Sequence, residues 1–253
     1  MNETNLYHLN IDKNFRAGYA IVPGDPGRVD KIAAFLDEAV FLANNREFRS
    51  FAGKLCGETV IVCSTGIGGP SAAIALEELS MLGVHTAVRI GTCGGISQKV
   101  QRGDLIAATA AVRMDGCSKE YAPIEYPAVS DFGVCSAIVR SADALGYRIH
   151  TGVIQSKDSF YGQHSPESMP TSAELLNKWE AWKRLGVLAS EMEASTLFTV
   201  GAVRGIRTGC VLHAVWNQEL PGGGTSAADL DMDATVKTAV AAIKLLISED
   251  KNG

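Results

Sequence analysis

No CxxC pair occurs in this sequence, and none of its six cysteines (56, 63, 93, 117, 135 and 210) sits beside a histidine cluster. That scatter disfavours a structural zinc site, and in an apolar chain of 253 residues a disulfide scaffold is not expected either. Uninterrupted apolar runs approaching the roughly 20 residues of a membrane span are missing. The opening MNETNLYHLN has no basic segment leading into an apolar run, so no secretory signal is expected. Excess positive charge is lacking: the formal net charge is -5 and the isoelectric point lies near 5.6. Neither nucleic acid nor an anionic membrane is therefore expected as a partner. The expectation is a soluble, reduced, cytoplasmic protein. Catalytic signatures are also sparse. GxxxxGK[ST], GxSxG and HExxH are absent, and the segment STGIGGPSAA (64–73) misses GxGxxG because Ser71 stands where the last glycine belongs. A NAD or ATP cradle is therefore poorly supported.

What is present is alternation. The apolar runs at 19–25, 58–65, 85–92, 104–116, 148–156 and 208–216 read as strands. Helical spacing follows the first run (Val29, Ile32, Ala33 and Leu36) and fills 69–83 and 133–146. The stretch ASEMEASTLFTVGAVRG (189–205) also reads as helical, as does 231–247 with Val236, Val240, Ile243 and Ile247 on one face. Such alternation implies a largely parallel, buried sheet covered by helices, in one domain spanning 1–253. In sheets of this kind ligands bind beyond the carboxyl ends of the strands.

Those ends carry the chemistry. At PGDPGR (23–28), two glycines and a following helix start would suit an anion, with Arg28 as a bidentate donor. In VRIGTCGG (88–95), Arg89 lies inside an otherwise apolar strand, where a guanidinium needs either a buried carboxylate or a bound anion. Thr92 and the adjacent glycine amides would complete a phosphate-sized site. Glu191 and Glu193, read on one helix, would point in different directions, one of them suited to sugar hydroxyls. The loop QSKDSFYGQHSPESMP (155–170) gathers Lys157, Phe160, Gln163 and His164 before Pro166 and Pro170 stop any regular continuation. An anion site beside a diol site needs no protein nucleophile if phosphate itself attacks.

Together YHLNIDK (7–13), AIVPGDPGRVDKIA (20–33), NREFRSFAG (45–53), VIVCSTGIGGPSAAIALEEL (60–79), VRIGTCGGI (88–96), GDLIAATAAVRMDG (103–116), FYGQ (160–163) and EMEAST (191–196) resemble the nucleoside phosphorylase family, nearly end to end. The resemblance implies a single-domain α/β three-layer sandwich whose mixed central sheet partly closes into a barrel. It implies Gly24, Arg28, Arg89 and Thr92 at phosphate, joined by Arg46 from a neighbouring subunit. His8 would likewise cross to the neighbour's ribose. Thr92, Met192 and Glu193 would hold the ribose, and Cys93, Gly94, Phe160, Gln163 and His164 would surround the base. Glu47, Ser71 and the Ile67 carbonyl match positions that hold a monovalent cation such as K+ in some relatives. No organic cofactor is implied, inorganic phosphate is the co-substrate, and a homodimer with shared sites, often built into a hexamer, is expected.

The expected reaction is reversible phosphorolysis of a pyrimidine nucleoside, uridine first, to the free base and ribose 1-phosphate. Two departures concern the base. An arginine expected two residues beyond the glutamine is Ser165, and a second, in VLHAVWNQE (211–219), is Val215. The aspartate that the purine branch uses in this second region is also absent, which disfavours a purine. Lys157 or His164 is the available replacement, donating to the charge that develops on the pyrimidine carbonyl. A hydrolytic nucleosidase and a non-catalytic nucleoside-binding protein on the same fold are the competing functions.

Overall fold

Among the described residues ten strands build one sheet, and β-branched residues are frequent in β1, β4 and β5, its central strands. The computed structural model describes residues 4–221 and 232–252. In it β1 (Tyr19–Pro23) leads through a single 3-10 turn into α1 (Val29–Ala33). The hairpin β2 (Asp37–Asn45) and β3 (Phe48–Leu55) continues into β4 (Glu58–Cys63), α2 (Gly69–Met81), β5 (Thr86–Gly95) and β6 (Leu105–Met114). Next come α3 (Cys117–Tyr121), β7 (Ala128–Val129), α4 (Phe132–Ala144), β8 (Ile149–Lys157), α5 (Phe160–His164) and α6 (Ser172–Arg184). The chain closes with β9 (Ala189–Glu191), α7 (Ala194–Arg204), β10 (Arg207–Asn217) and α8 (Asp233–Asn252).

The sheet is mixed, as the family resemblance implies, rather than largely parallel. Parallel pairs (β1 with β4 and β5, β5 with β10, β6 with β8, β8 with β9) alternate with antiparallel ones (β2 with β3, β3 with β4, β5 with β9, β6 with β10). Because β10 pairs with both β6 and β5, the strands β10, β6, β8, β9 and β5 close into a five-stranded ring. From β5 the open sheet continues through β1, β4, β3 and β2. Closure ties the site-bearing ends of β5, β8, β9 and β10 into one rim.

Two apolar clusters cover the sheet. On one side α1, α4 and α8 pack Val29, Ile32, Val134, Ile138, Val240 and Ile243 against β1, β4 and β5. On the other side α2 and α7 pack Leu76, Leu79, Leu197 and Phe198. Helix starts follow their sequence signals: the Asp131 carboxylate accepts from the Val134 amide at 2.9 Å, and Pro70 lies in the first turn of α2. Gly205 ends α7 in the left-handed conformation at φ 69. Among the described residues no helix is long and apolar enough to cross a membrane.

Three departures bear on function. The stretch 189–205 is not one helix: Ala189–Glu191 is a strand paired with β5 and β8, and the helix starts only at Ala194. Strand β5 does not stop at its glycines but runs through Gly95, paired with β10. Opposite Cys93 and Gly94 the register of β10 shifts between Ala214 and Trp216, so Val215 is the extra residue of a bulge. The last helix begins at Asp233, and Asp231 lies outside the described residues.

Candidate active site

A cavity of about 600 Å³ opens at this rim, between the ends of β1, β5, β8, β9 and β10. At one end the chain leaves β1 through Gly24. A Cβ there would come within 3.3 Å of the Gly66 carbonyl oxygen, a tight contact that glycine avoids, and 3.8 Å from Arg89 Nη1. Asp25 caps the following 3-10 turn by accepting from the Gly27 amide at 2.8 Å, which sets Arg28 over the cavity. Burial lowers the Arg28 pKa, Asp25 opposes this, and the charge of Arg89 adds to it. Two guanidinium groups thus face one space, an arrangement that an anion stabilises.

Arg89 is 3 % exposed and pairs with two carboxylates. Its Nε donates to Glu191 Oε2 at 3.2 Å and its Nη2 to Glu193 Oε2. Burial disfavours its charge, but Glu193 and Glu191 outweigh that and hold its pKa above the ordinary value. The carboxylate alternative is realised at two of its nitrogens, while buried Nη1 has no hydrogen-bond partner among the described residues and Arg89 lines the cavity. Because Ala189–Glu191 is a strand followed by a tight turn, Glu191 and Glu193 converge on this arginine instead of diverging. Glu191 also accepts from the Ser156 hydroxyl and from the amides of Glu193 (2.8 Å) and Ala194 (3.0 Å). Glu193 Oε1 takes the Gly68 amide at 2.5 Å, and burial raises this carboxyl's pKa against the opposing pull of Arg89. Thr92 and Met192 line the cavity beside it.

The opposite end is aromatic. The His164 ring lies between Phe160, at 4.2 Å between centroids, and Trp216, at 4.4 Å. Trp216 rests on Gly94, where an added Cβ would come within 2.5 Å of Nε1. Burial, with Lys157 nearby, lowers the His164 pKa to about 4, so the ring is neutral at physiological pH. Lys157 is 6 % exposed. Burial lowers its pKa to about 8 against the pull of Glu191, Glu193 and Cys93, and its ammonium donates to Ser190 Oγ at 2.6 Å. Gln163 reaches the same hydroxyl. Burial pushes the Cys93 thiol up, which leaves it protonated and unsuited to attack. Val215, on the bulge, and Trp216 both line the cavity.

The cavity thus unites Gly24, Arg28, Arg89, Thr92, Cys93, Gly94, Lys157, Phe160, Gln163, His164, Met192 and Glu193. Glu47 and Ile67 also line it, and Ser71 donates to Glu47 Oε1 at 2.6 Å, lowering that carboxyl's pKa. His8 and Arg46 stand apart. The His8 ring pairs with Glu78 at 2.8 Å, and Arg46 is exposed at the β2–β3 turn with φ 55. Sequence reasoning passed over Ser156, Ser190, Gln155 and Trp216. Reading 189–191 as a strand is the signal that would have placed Ser190 and Glu191 beside the ends of β5 and β8.

Residues 18–249 match the family model described as Phosphorylase superfamily. The chain is 46 % identical over 245 residues to a uridine phosphorylase of Treponema pallidum, covering 96 % of this chain and 95 % of that one. It is 45 % identical to a uridine phosphorylase of Escherichia coli, over 89 % of this chain and 92 % of that one. A guanosine phosphorylase of Halorubrum lacusprofundi is 40 % identical, over 88 % of each chain. With a ring-closed mixed sheet, paired arginines at its rim and a match running over nearly the whole length, this chain belongs to the phosphorylase superfamily.

Proposed function

We propose that the chain catalyses reversible phosphorolysis of a pyrimidine nucleoside, uridine plus phosphate giving uracil plus ribose 1-phosphate. The observation that carries this reading is the buried Nη1 of Arg89, unpartnered among the described residues beside a cavity that Arg28 also faces, and adjacent to the Glu193 carboxylate. Phosphate fits the arginine end, ribose hydroxyls fit Glu193 with Met192 against the sugar, and the flat base fits the aromatic end lined by Phe160, His164 and Trp216. The curated relatives named uridine phosphorylase agree with this substrate.

The chemistry follows from charge. Breaking the N-glycosidic bond builds positive charge on the ribose ring and negative charge on the departing base. Phosphate held by Arg28 and Arg89 attacks the anomeric carbon and stabilises the first charge. For the second, Lys157 carries a cation at neutral pH and His164 does not, so Lys157 supplies the stabilising charge where relatives place arginine. His164 serves as a neutral ring wall and hydrogen-bonding group. Glu47, Ser71 and the Ile67 carbonyl offer oxygen ligands that suit a hard monovalent cation such as K+. With few donors from one chain, such a site needs a second subunit, and a homodimer, three of which form a hexamer, supplies it along with Arg46 and His8. The reaction belongs to cytoplasmic pyrimidine nucleoside salvage.

The test is a nucleoside panel assayed with and without phosphate, following free base by ultraviolet absorbance and the sugar product separately. Uracil and ribose 1-phosphate should appear from uridine only when phosphate is present. Full-rate release without phosphate would make the protein a hydrolase, and uridine binding without either product would make it a binding protein.

A further inference from the structure

Ser190 sits at the centre of a buried polar hub that neither the phosphate nor the ribose chemistry uses. The Lys157 ammonium donates to its hydroxyl at 2.6 Å. The side-chain amides of Gln155 and Gln163 each approach the same oxygen to 2.6 Å. An ammonium has only donors, so Ser190 must accept from Lys157. The hydroxyl then has one lone pair and one proton left. One proton cannot serve two carbonyl oxygens, so one amide must meet Ser190 through its carbonyl and the other through its nitrogen. Which atom of an amide faces which neighbour is decided by such a network.

Gln155 settles the count. Its Nε2 lies 3.0 Å from Met114 Sδ, an atom that can only accept. Gln155 therefore gives its nitrogen to sulfur and its carbonyl to Ser190, and takes the hydroxyl proton. Gln163 is left to donate Nε2 to the remaining lone pair of Ser190, which turns its carbonyl toward the substrate cavity that it lines. Ser190 and Gln155 are both 3 % exposed, so water does not substitute for either partner.

We propose that Ser190 and Gln155 are specificity-determining positioning residues: they hold the Gln163 amide with its carbonyl toward the base, so that the site takes bases presenting a ring N–H at that edge. Uracil carries such an N–H at N3, whereas cytosine carries a lone pair there. A fixed carbonyl accepts from the first and repels the second. A buried polar group left facing a like group discriminates strongly, because the penalty is an unpaired acceptor in a dry site. The inference rests on the pyrimidine reading above and adds to it the reason a 4-oxo base is preferred to a 4-amino one.

The experiment compares wild type with Gln155→Leu, Ser190→Ala and Ser190→Thr. It measures the KM for uridine in phosphorolysis, the inhibition constant of cytidine against that reaction, and the KM for phosphate. Gln155→Leu frees the hydroxyl proton, and Ser190→Ala removes the hub, so in both the Gln163 amide turns freely. The ratio of the cytidine constant to the uridine KM should fall on the order of tenfold, with the phosphate KM unchanged, while Ser190→Thr keeps its hydroxyl and the wild-type ratio. An unchanged ratio in Gln155→Leu, or a Ser190→Thr ratio as low as that of Ser190→Ala, would overturn the proposal. Failure of the underlying reading looks different, since wild type would then release no uracil from uridine with phosphate.

Discussion

Among the site's side chains, Lys157 is a cation whose charge is lost not far above neutral pH. Burial drives its pKa down to about 8, while Glu191, Glu193 and the Cys93 thiol pull the other way. His164 faces it from α5 but is neutral above about 4. Below pH 8 the group is an ammonium able to stabilise the departing base, and above it a neutral amine. For uridine phosphorolysis, kcat/KM should therefore fall as pH rises through about 8. Lys157→Met should remove that limb and lower the plateau on the order of a hundredfold, as loss of a preorganised donor does. His164→Ala should keep the limb. A pH–rate series on the three proteins checks this, and a limb that persists in Lys157→Met would assign it to another group. Arg89 was legible in the sequence because a cation in an apolar strand must find an anion. Glu191 was not, since its direction depends on whether 189–191 follows a helical or an extended period, and its neighbours fit either.

At the level of elements, α7 is what brings Glu193 into place, and one buried carboxylate anchors its start. Asp115 is 1 % exposed and accepts from the Ser118 amide at 2.6 Å, the Ser118 hydroxyl at 3.0 Å, the Ser195 hydroxyl, and the Thr196 hydroxyl at 3.1 Å. Asp115→Ala strands these donors in a dry interior, where each unpaired group costs about 1–3 kcal/mol. The variant should lose about 3 kcal/mol in urea unfolding, and amides at 194–197 should lose hydrogen-exchange protection before those of β5. An unchanged unfolding midpoint would mean that α7 is held by its apolar packing alone. That packing is also why α7 was legible: Leu197, Phe198 and Val200 with small neighbours form a stretch that is buried from Ala194 through Gly201. The β2–β3 hairpin was not, because most of β2 is exposed and its register against β3 shifts twice, which erases the alternation expected of a half-buried strand. Helix α6 was likewise missed, and none of its residues is buried.

For the whole molecule, the decisive question is whose site Arg46 serves. The cavity gathers two arginines from its own chain, while Arg46 is exposed on the β2–β3 turn next to Glu47, which does line the cavity. A symmetric dimer that places this turn against its partner's cavity adds to each site's own two arginines a third from the neighbouring subunit. Mixing two inactive proteins separates the cases. In a heterodimer of Arg46→Ala with Glu193→Ala, an arginine acting across the interface leaves one site with both lesions and the other with neither. Random exchange makes half the dimers mixed, so about a quarter of wild-type activity should return. If Arg46 serves its own chain, every site in the mixture carries one lesion and nothing returns. Dissociating and reassociating the two variants together, with each alone as control, and assaying uracil release against phosphate gives the answer. Recovery would establish the dimer as the catalytic unit, because an isolated chain would lack its third phosphate ligand.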